Sequence, residues 1–414
     1  MSDYSYSESS DSSGSSCSSS SRSLSEEDSE TITDIENEYL GKVVNNKYLI
    51  IKYIARGTFS RVFLVYNLIH DKYYALKMLF EEYREEGLQE TKIYRHFSNR
   101  PDSKVVEYID TFEYQNNICL LTEFMGIDLL DALNIYNDIN EIPRNLIIKC
   151  IIDTLTGLNE LHTCNIVHAD LKLENIMLTH WTRETEKYIE WFKSINIQGY
   201  REKYYEKLKV DFNKIQEGNG VNRKKIKNAL QNKFNNFISG VFKKHIDNKK
   251  IEMAEKEMEL QKSRDLNEKM IDIKNTNAKI IDLGNSELLE DKYGKGYIHI
   301  RNYRAPENFK LKIFNQKSDI WTLGCLILEM LSGTHFYDLE GENLAEDLKF
   351  IEKSIYDFDT TFSNHLESVV FKNNDEYTLF YTLVKNMLNL DFNKRWSALE
   401  CKEFICNRFR QEKT

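Results

Sequence analysis

His168-Ala169-Asp170-Leu171-Lys172-Leu173-Glu174-Asn175 is the stretch of sequence that decides how the rest of the chain is interpreted. A lysine follows its aspartate by two residues and an asparagine follows it by five. Phosphoryl transfer uses such a set, because Asp accepts the proton of the attacking hydroxyl, Lys neutralises phosphoryl charge and Asn helps to hold magnesium. A polar loop that merely connects two helices is the alternative. The motif predicts Asp170, Lys172 and Asn175 as catalytic residues, with Asn175 also a metal ligand.

Three β-type runs occur near the start of the chain, at residues 48–54, 61–66 and 72–78. They predict three consecutive antiparallel strands. The turn between the first two has the spacing of a glycine-rich loop that covers phosphates, although only the middle glycine of three is present. A plain hairpin is the alternative for this turn alone. With a lysine on the third strand, the pattern predicts a nucleotide site formed by Ala55, Gly57, Ser60, Val62, Ala75 and Lys77.

A helical pattern follows from Glu82 to Phe97 and carries several acidic residues. Glu90 lies beside the predicted buried face, so we expect it to pair with Lys77 and to hold the ammonium group against the nucleotide phosphates. Glu85 and Glu86 are the alternative partners.

Two further strands are predicted at residues 105–114 and 118–124, and β character ends at Met125-Gly126. This change predicts a hinge between a sheet lobe and a helical lobe. Backbone groups of Glu123 and Met125 are expected to bind an adenine edge, with Thr122 at the back of the pocket. Helical patterns then occupy residues 128–136 and 144–162.

Downstream, residues 278–284 form a short apolar strand that ends in Asp282 and a glycine turn. Asp282 is therefore predicted to chelate the magnesium that bridges the phosphates. Two later motifs are predicted to be scaffolding, with Glu307 paired to Arg395 and Asp319 bracing the catalytic loop.

The composition is that of a globular protein, since 41% of the 414 residues are hydrophobic. The sequence contains neither an apolar run of membrane-spanning length nor a secretory signal, and its seven cysteines form no C-x-x-C pair. We therefore expect an intracellular chain with reduced thiols. Residues 1–36 are acidic and rich in serine, and are predicted to be a disordered tail that is open to regulatory phosphorylation.

Residues 180–275 interrupt the expected spacing and differ in charge from the rest of the chain. Between residues 181 and 275 there are 22 basic and 15 acidic side chains, a net charge of +7 against −10 for the whole chain. The remainder therefore carries −17, which favours basic substrates at least as much as nucleic acid. A solvated insert of mixed charge is the favoured interpretation, and a nuclear-import or nucleic-acid patch is the alternative. Residues 252–270 have the pattern of a charged helix.

With these residues together, the chain resembles the eukaryotic serine/threonine protein kinases. The resemblance implies an α+β two-lobed fold, with a small antiparallel sheet lobe carrying one main helix and a larger, mostly helical lobe. It implies ATP and Mg²⁺ as cofactors. The expected divisions are a first lobe at 37–125, a second lobe at 126–179 and 276–411, and the basic insert at 180–275 between the catalytic loop and Asp-Leu-Gly.

More narrowly, the chain resembles the SR-protein kinases of the CMGC group. The motifs responsible are Gly57-Thr58-Phe59-Ser60, Asp282-Leu283-Gly284-Asn285, Arg301-Asn302-Tyr303-Arg304 and the long insert. This resemblance implies Arg/Ser-rich protein substrates such as splicing factors, a monomer in the cytoplasm and nucleus, and no direct contact with nucleic acid or membrane. An acidic docking surface is expected at Asp338, Glu340, Glu342, Glu346 and Asp347.

Three positions depart from the family pattern. Ala169 replaces the arginine of His-Arg-Asp, which would bind a phosphorylated activation loop, and the short acidic segment 285–300 suggests activity without that switch. Ala55 replaces the first glycine of the phosphate loop. Ile300 stands where the family has a threonine that bonds the catalytic Asp and Lys. A pseudokinase scaffold, or a kinase for another substrate motif, is therefore the alternative function.

Overall fold

The first lobe is built on an antiparallel sheet. The computed structural model describes residues 31–97, 100, 102–137, 143–216, 223–257, 271–339 and 343–411. The sheet contains β1 (Val43–Val44), β2 (Tyr48–Arg56), β3 (Ser60–Asn67), β4 (Lys72–Leu79), β5 (Tyr108–Tyr114) and β6 (Asn117–Glu123). Its spatial order is β1-β2-β3-β4-β6-β5. The strand predicted from residue 105 begins at Tyr108, because Val105 instead forms an isolated bridge to Ile280.

Two helices pack on this sheet, α1 (Ile32–Tyr39) and α2 (Arg84–Phe97). The side chains of Thr31 and Asp34 cap the start of α1 reciprocally, and Ile35 and Tyr39 are buried against the sheet. The predicted disordered tail is therefore wrong at its end, since α1 begins at Ile32. Residues 1–30 of that tail lie outside the described residues.

The second lobe starts with α3 (Leu129–Asn137), α4 (Arg144–Thr163), β7 (Ile166–Val167) and β8 (Ile176–Leu178). A short 3₁₀ helix at Leu173–Asn175 separates β7 from β8, so the catalytic motif lies on a loop between two short strands. This arrangement presents polar side chains at the lobe edge while the flanking strands are buried.

The insert contains α5 (Arg183–Ser194), α6 (Ile197–Gln216) and α7 (Arg223–Glu257). Its apolar side chains pack on one face of the sheet, against Leu49, Ile51 and Leu64. Those that are buried there are Ile189, Phe192, Ile195, Ile197, Phe234, Ile238 and Phe242. The favoured prediction of a solvated insert is therefore wrong for this part, because three helices cover a sheet face that would otherwise expose hydrophobic residues to water. Residues 258–270 of the predicted charged helix lie outside the described residues.

The remaining strands are β9 (Ala278–Ile280), β10 (Glu287–Leu288), β11 (Gly294–Lys295) and β12 (Ile313–Phe314). The remaining helices are α8 (Pro306–Leu311), α9 (Gln316–Ser332), α10 (Leu344–Tyr356), α11 (Phe358–His365), α12 (Asn374–Met387) and α13 (Ala398–Gln411). Helix α9 is buried along nearly its whole length and forms the centre of the lobe. Among the residues that the structure describes, no helix has the length and apolar character needed to cross a membrane.

Candidate active site

Lys77 lies at the centre of an ion cluster between the two lobes. Its Nζ atom is 2.9 Å from Glu90 Oε2 on α2 and 2.7 Å from Asp282 Oδ1 after β9. Burial alone would lower the pKa of Lys77, but the two carboxylates outweigh it and raise this pKa above its ordinary value. Burial works against ionisation of Asp282 too, yet Lys77 keeps the pKa of Asp282 below its ordinary value. The cluster therefore combines a fixed cation with an ionised carboxylate.

The sequence left three possible partners for Lys77, and the structure selects Glu90. The side chain of Glu90 is only 2% exposed and both of its oxygens accept from Lys77, whereas Glu85 and Glu86 are exposed. Burial raises the pKa of Glu90 despite the neighbouring ammonium group. A buried charge of this kind requires its partner, so the pair fixes α2 against β4.

Asp170 lies on the loop before the 3₁₀ helix, and its carboxylate is surrounded by donors. The Asn175 side-chain amide donates to the Asp170 backbone carbonyl at 2.8 Å and lies 3.4 Å from Oδ2. Lys172 Nζ is 3.7 Å from the same Oδ2, and the Asn285 amide lies 3.3 Å from it. The three predicted catalytic residues are thus together, with a fourth polar group from the segment after Asp282.

The side chain of Asp319, at the start of α9, binds the backbone of this loop. Its carboxylate is fully buried and accepts the backbone N–H groups of His168 and Ala169 at 2.9 and 3.1 Å. His162 Nε2 lies 2.8 Å from the same carboxylate. The predicted brace is present, and it fixes the backbone on which Asp170 is carried.

The hairpin between β2 and β3 forms the roof of the cleft. Gly57 donates its N–H to the Ser60 carbonyl at 2.8 Å, and Ala55 is in register with Val62. Val62 is in turn opposite Lys77 on β4, so the hairpin lies over the ion cluster. A Cβ atom at Gly57 would meet only Ser60, at 3.7 Å, so the loop leaves room near the backbone amides.

The hinge between the lobes follows β6. Thr122 is in register with Ala75, and the Glu123 N–H already donates to the Glu107 carbonyl at 3.0 Å. Of the backbone groups predicted to bind adenine, the Glu123 carbonyl and the Met125 backbone therefore remain available. A Cβ atom at Gly126 would lie 1.7 Å from the His180 carbonyl oxygen, so only glycine fits there.

Asn175 and Asp282 are the residues that could hold a divalent cation. Asn175 uses its amide nitrogen towards Asp170, and Asp282 uses Oδ1 towards Lys77, which leaves one oxygen on each without a partner in the described chain. No group of three His, Cys, Asp or Glu side chains that could hold a metal occurs within the described ranges. Magnesium bound jointly by protein and phosphate needs only one or two protein oxygens, so this pair fits it.

The structure also locates the three departures. Ala169 is buried in an apolar cluster and adopts a left-handed φ of 67°, while Ala55 lies exposed on β2. The Ile300 side chain is 43% exposed and brings no hydroxyl group to Asp170.

The predicted acidic docking surface is only partly available. Asp347 is buried and paired with Arg301, with a nitrogen–oxygen distance of 2.5 Å, so it cannot bind a substrate cation without breaking this pair. Asp338 and Glu346 are exposed, whereas Glu340 and Glu342 lie outside the described residues. The prediction of Asp347 as a docking residue is therefore wrong.

Sequence reasoning missed two positions in the site. Asn285 contacts Asp170, and its place directly after Asp-Leu-Gly was the available signal. Tyr94 is buried beneath the cluster, within hydrogen-bond reach of the Asp282 and Leu283 backbone, and its place one turn after Glu90 on the buried face of α2 was the signal. These residues connect the Asp282 turn to α2 and to the catalytic loop.

The fold and the site together define a class of protein, one that positions a nucleotide between a sheet lobe and a helical lobe for phosphoryl transfer. Residues 48–191 and 238–405 match the family model of the protein kinase domain. This match covers more than half of the chain, and the chain therefore belongs to the protein kinase family.

Curated relatives include CMGC-like kinases from several organisms. The probable serine/threonine-protein kinase clkA of Dictyostelium discoideum is 22% identical over 351 residues, which cover 82% of this chain and 31% of the relative. The dual specificity protein kinase lkh1 of Schizosaccharomyces pombe is 22% identical over 342 residues, which cover 80% of this chain and 38% of the relative. Human dual specificity tyrosine-phosphorylation-regulated kinase 3 is 31% identical over 153 residues, 36% of this chain and 26% of the relative.

The chain thus spans well under half the length of these relatives. They are named as kinase types other than SR-protein kinases. The resemblance to protein kinases is therefore supported, and the resemblance to SR-protein kinases stays a prediction. A crystal structure of a kinase domain matches with a TM-score of 0.55 and 19% identity, covering 88% of this chain and 97% of that one. This likeness confirms the predicted α+β two-lobed fold.

Proposed function

We propose that this chain is a magnesium-dependent serine/threonine protein kinase that transfers the γ-phosphate of ATP to serine side chains of proteins. The observation that carries the proposal is that two groups of residues form one site. The first is Lys77 with its partners Glu90 and Asp282, the second is the Asp170 loop, and Asn285, which follows the Asp282 turn, connects them. Names of the relatives, which include serine/threonine and dual-specificity kinases, support the same activity.

In this mechanism Asp170 orients the substrate hydroxyl and accepts its proton. Lys172, 3.7 Å from Asp170, offsets negative charge as the phosphoryl group moves towards the serine oxygen. Lys77 binds phosphate oxygens, and Glu90 keeps its ammonium group in place. Magnesium, held by Asn175 and Asp282, would neutralise charge on the phosphates when bound. The protein thus contributes mainly positioning and electrostatic stabilisation.

We further propose that the substrates are rich in Arg and Ser, as in splicing factors. Glu174 belongs to the catalytic loop and interacts electrostatically with Asp128 and Asp131 at the start of α3. Burial is the main cause that raises the pKa of Asp128; a hydrogen bond from the Asp131 backbone opposes it, and the charges of Asp131 and Glu174 add to the rise. Carboxylates that repel one another in this way favour a cationic ligand. An arginine next to the target serine would relieve that repulsion, and an acidic residue would increase it.

The proposed partners are therefore protein substrates, met by a monomer in the cytoplasm and nucleus, without membrane or nucleic-acid binding.

One basic side chain of the insert already interacts with aromatic rings of the insert itself. Lys249 Nζ lies 4.1 Å from the ring centroids of both Tyr188 and Trp191. A lysine held between two rings contributes less to an exposed basic patch for nucleic acid.

The experiment is magnesium-dependent transfer of labelled phosphate from ATP to two peptides, one of alternating Arg-Ser and one acidic peptide containing serine. The parent is compared with Asp282→Ala, which removes a proposed magnesium ligand. We expect labelling of the Arg-Ser peptide, lost in the variant. Labelling of the acidic peptide alone would overturn the substrate proposal, and ATP binding without labelling of either peptide would favour a scaffold.

A further inference from the structure

The segment that follows Asp282 is attached to the catalytic loop by direct contacts between unmodified residues. Strand β10 pairs with β7, and the Leu289 N–H donates to the Asn165 carbonyl at 2.8 Å. Leu289 and Ile298 also pack with Val167 and Ala169 in one buried cluster. The methyl group of Ala169 therefore lies in an apolar contact where the family pattern would place an arginine.

His299 is the polar anchor of this segment. Its side chain is fully buried, and Nε2 lies 3.1 Å from Asp319 Oδ1. Its backbone N–H donates to the Ala169 carbonyl at 2.8 Å, and its own carbonyl accepts from Arg304 Nη2 at 3.0 Å. One residue thus joins the catalytic loop, helix α9 and the segment that leads to α8.

The backbone of His299 indicates that these contacts hold it in place. Its φ is 56°, in the left-handed region that costs free energy for a residue with a Cβ atom. Such a conformation persists when surrounding contacts favour it strongly enough. Loss of the bond to Asp319 removes one of these contacts, so residues 298–300 should relax more readily towards ordinary backbone angles.

The buried Asp319 carboxylate requires hydrogen-bond donors, and the His299 ring supplies one of them. The carboxylate has no exposure to water, and hydrogen bonds from His162 and His299 outweigh burial and hold the pKa of Asp319 far below its ordinary value. Nδ1 of His299 has no partner within the described chain. The bond to Asp319 is therefore the one hydrogen bond that the His299 ring makes in the described chain, and it supplies the buried carboxylate with a donor.

We propose that His299 is a positioning residue, which ties the activation segment to the Asp319 carboxylate and so holds the substrate-binding segment in its working position without an added phosphate. The proposal rests on the proposed kinase function and extends it to regulation. The Asp319 carboxylate accepts hydrogen bonds from the backbone N–H groups of His168 and Ala169, just before Asp170. It also accepts one from the His299 side chain, two residues before Arg301. The two halves of the substrate site therefore share one buried carboxylate.

The test uses the whole 414-residue chain, with an intact mass that shows no added phosphate, and compares His299→Leu, His299→Gln and His299→Asn. Glutamine carries a side-chain amide that reaches as far as Nε2. Asparagine tolerates the left-handed backbone, but its amide is too short to reach Asp319. The readouts are kcat and KM for the Arg-Ser peptide, the Kd of magnesium-ATP, and amide hydrogen exchange of residues 286–300.

We expect kcat/KM for the peptide to fall about tenfold to a hundredfold in His299→Leu and His299→Asn, the range of one lost hydrogen bond to a charged group. The Kd of magnesium-ATP should change by less than about threefold. His299→Gln should recover most of the loss, and exchange of residues 286–300 should be faster only in the two variants that cannot reach Asp319.

Peptide kinetics and exchange in His299→Leu equal to the parent's would overturn the proposal. So would equal behaviour of the Gln and Asn variants, which remains measurable if the leucine protein does not fold. A parent protein that phosphorylates no peptide would instead refute the proposed kinase function, while the exchange measurement would still report whether His299 anchors the segment.

Discussion

Phe242 of helix α7 packs against Phe192 of helix α5, with ring centroids 5.7 Å apart and an angle of 67° between the rings. Both side chains are almost fully buried, in a cluster that includes Leu49 and Leu64 of the sheet. Aromatic pairs in this geometry add to the free energy gained by burying their area. The insert is therefore part of the core of the first lobe.

Replacing Phe242 by alanine should destabilise the protein by about 3–5 kcal/mol, the usual cost of removing a buried phenylalanine side chain. Urea unfolding followed by circular dichroism measures this change. The matched control is Phe237→Ala on the same helix, where the side chain is 38% exposed and should cost much less. Equal losses in the two variants would show that the insert does not pack on the sheet in solution.

The sequence contained a signal for this packing, but the density of charge hid it. Residues Phe234, Ile238 and Phe242 recur every four positions along α7, which is the spacing of one helix face. Leu49, Ile50 and Ile51 form an unbroken apolar run, typical of a strand covered on both faces. What no local pattern could give is which distant segment supplies the second cover, because that depends on tertiary contacts.

Glu90→Gln should impair ATP use far more than Glu86→Gln. The first substitution keeps the shape of a buried side chain but removes the charge that holds Lys77, whereas Glu86 is exposed on the same helix. We expect kcat/KM for ATP to fall about tenfold to a hundredfold in Glu90→Gln, since a charge-assisted bond is lost. Steady-state kinetics with varied ATP measure this loss, and a comparable loss in Glu86→Gln would contradict the assigned pairing.

Asp170→Ala should lower kcat by about 10²–10⁴, the range expected when general-base assistance is lost. Magnesium-ATP binding should be nearly unchanged, because the 2.8 Å bond that orients Asn175 is to the Asp170 backbone carbonyl, which alanine keeps, and Asp170 makes no contact with Lys77 in the described chain. Single-turnover phosphorylation and nucleotide titration measure the two effects separately. Activity within threefold of the parent would remove Asp170 from the proposed role.

Much of this site could be predicted from sequence because each catalytic side chain has its own short motif at a fixed spacing. The pairs Lys77–Glu90 and Glu307–Arg395 are present as the motifs predict. His299 was missed for the opposite reason, since no motif marks a single histidine. Its value depends on a left-handed backbone angle and on the buried Asp319, both of which appear only once the chain is folded.

Glu174→Gln should weaken use of the Arg-Ser peptide more than use of the acidic peptide. The change removes one of the carboxylates that act on Asp128, and we expect a loss of about 1 kcal/mol, roughly fivefold in kcat/KM, which shrinks at high salt. Glu367→Gln is the control, since Glu367 is also exposed but follows helix α11, outside the residues named for substrate binding. An equal loss for both peptides would rule out selection of arginine by Glu174.

Acid stability should depend on the buried pair between Glu307 and Arg395, whose atoms Oε1 and Nη1 lie 2.8 Å apart. Burial opposes ionisation of Glu307, but Arg395 outweighs it and lowers the pKa of Glu307 below its ordinary 4.5. A folded-state pKa below the unfolded value means that the pair stabilises the protein above about pH 4.5, and that this stability is lost as the pH falls further. At pH 7, Glu307→Gln should cost about 3–5 kcal/mol, because Arg395 is left buried without its charged partner.

The free-energy difference between parent and Glu307→Gln should therefore shrink as the pH falls below 4.5, which urea unfolding at a series of pH values measures. Glu400→Gln is the control. The pKa of Glu400 is also lowered, first by a hydrogen bond from the Ser397 backbone, but its side chain is 57% exposed. Its contribution should be within about 1 kcal/mol at any pH, since water already solvates the carboxylate. A difference for Glu307→Gln that stays constant with pH would show that its cost comes from packing and not from the charge.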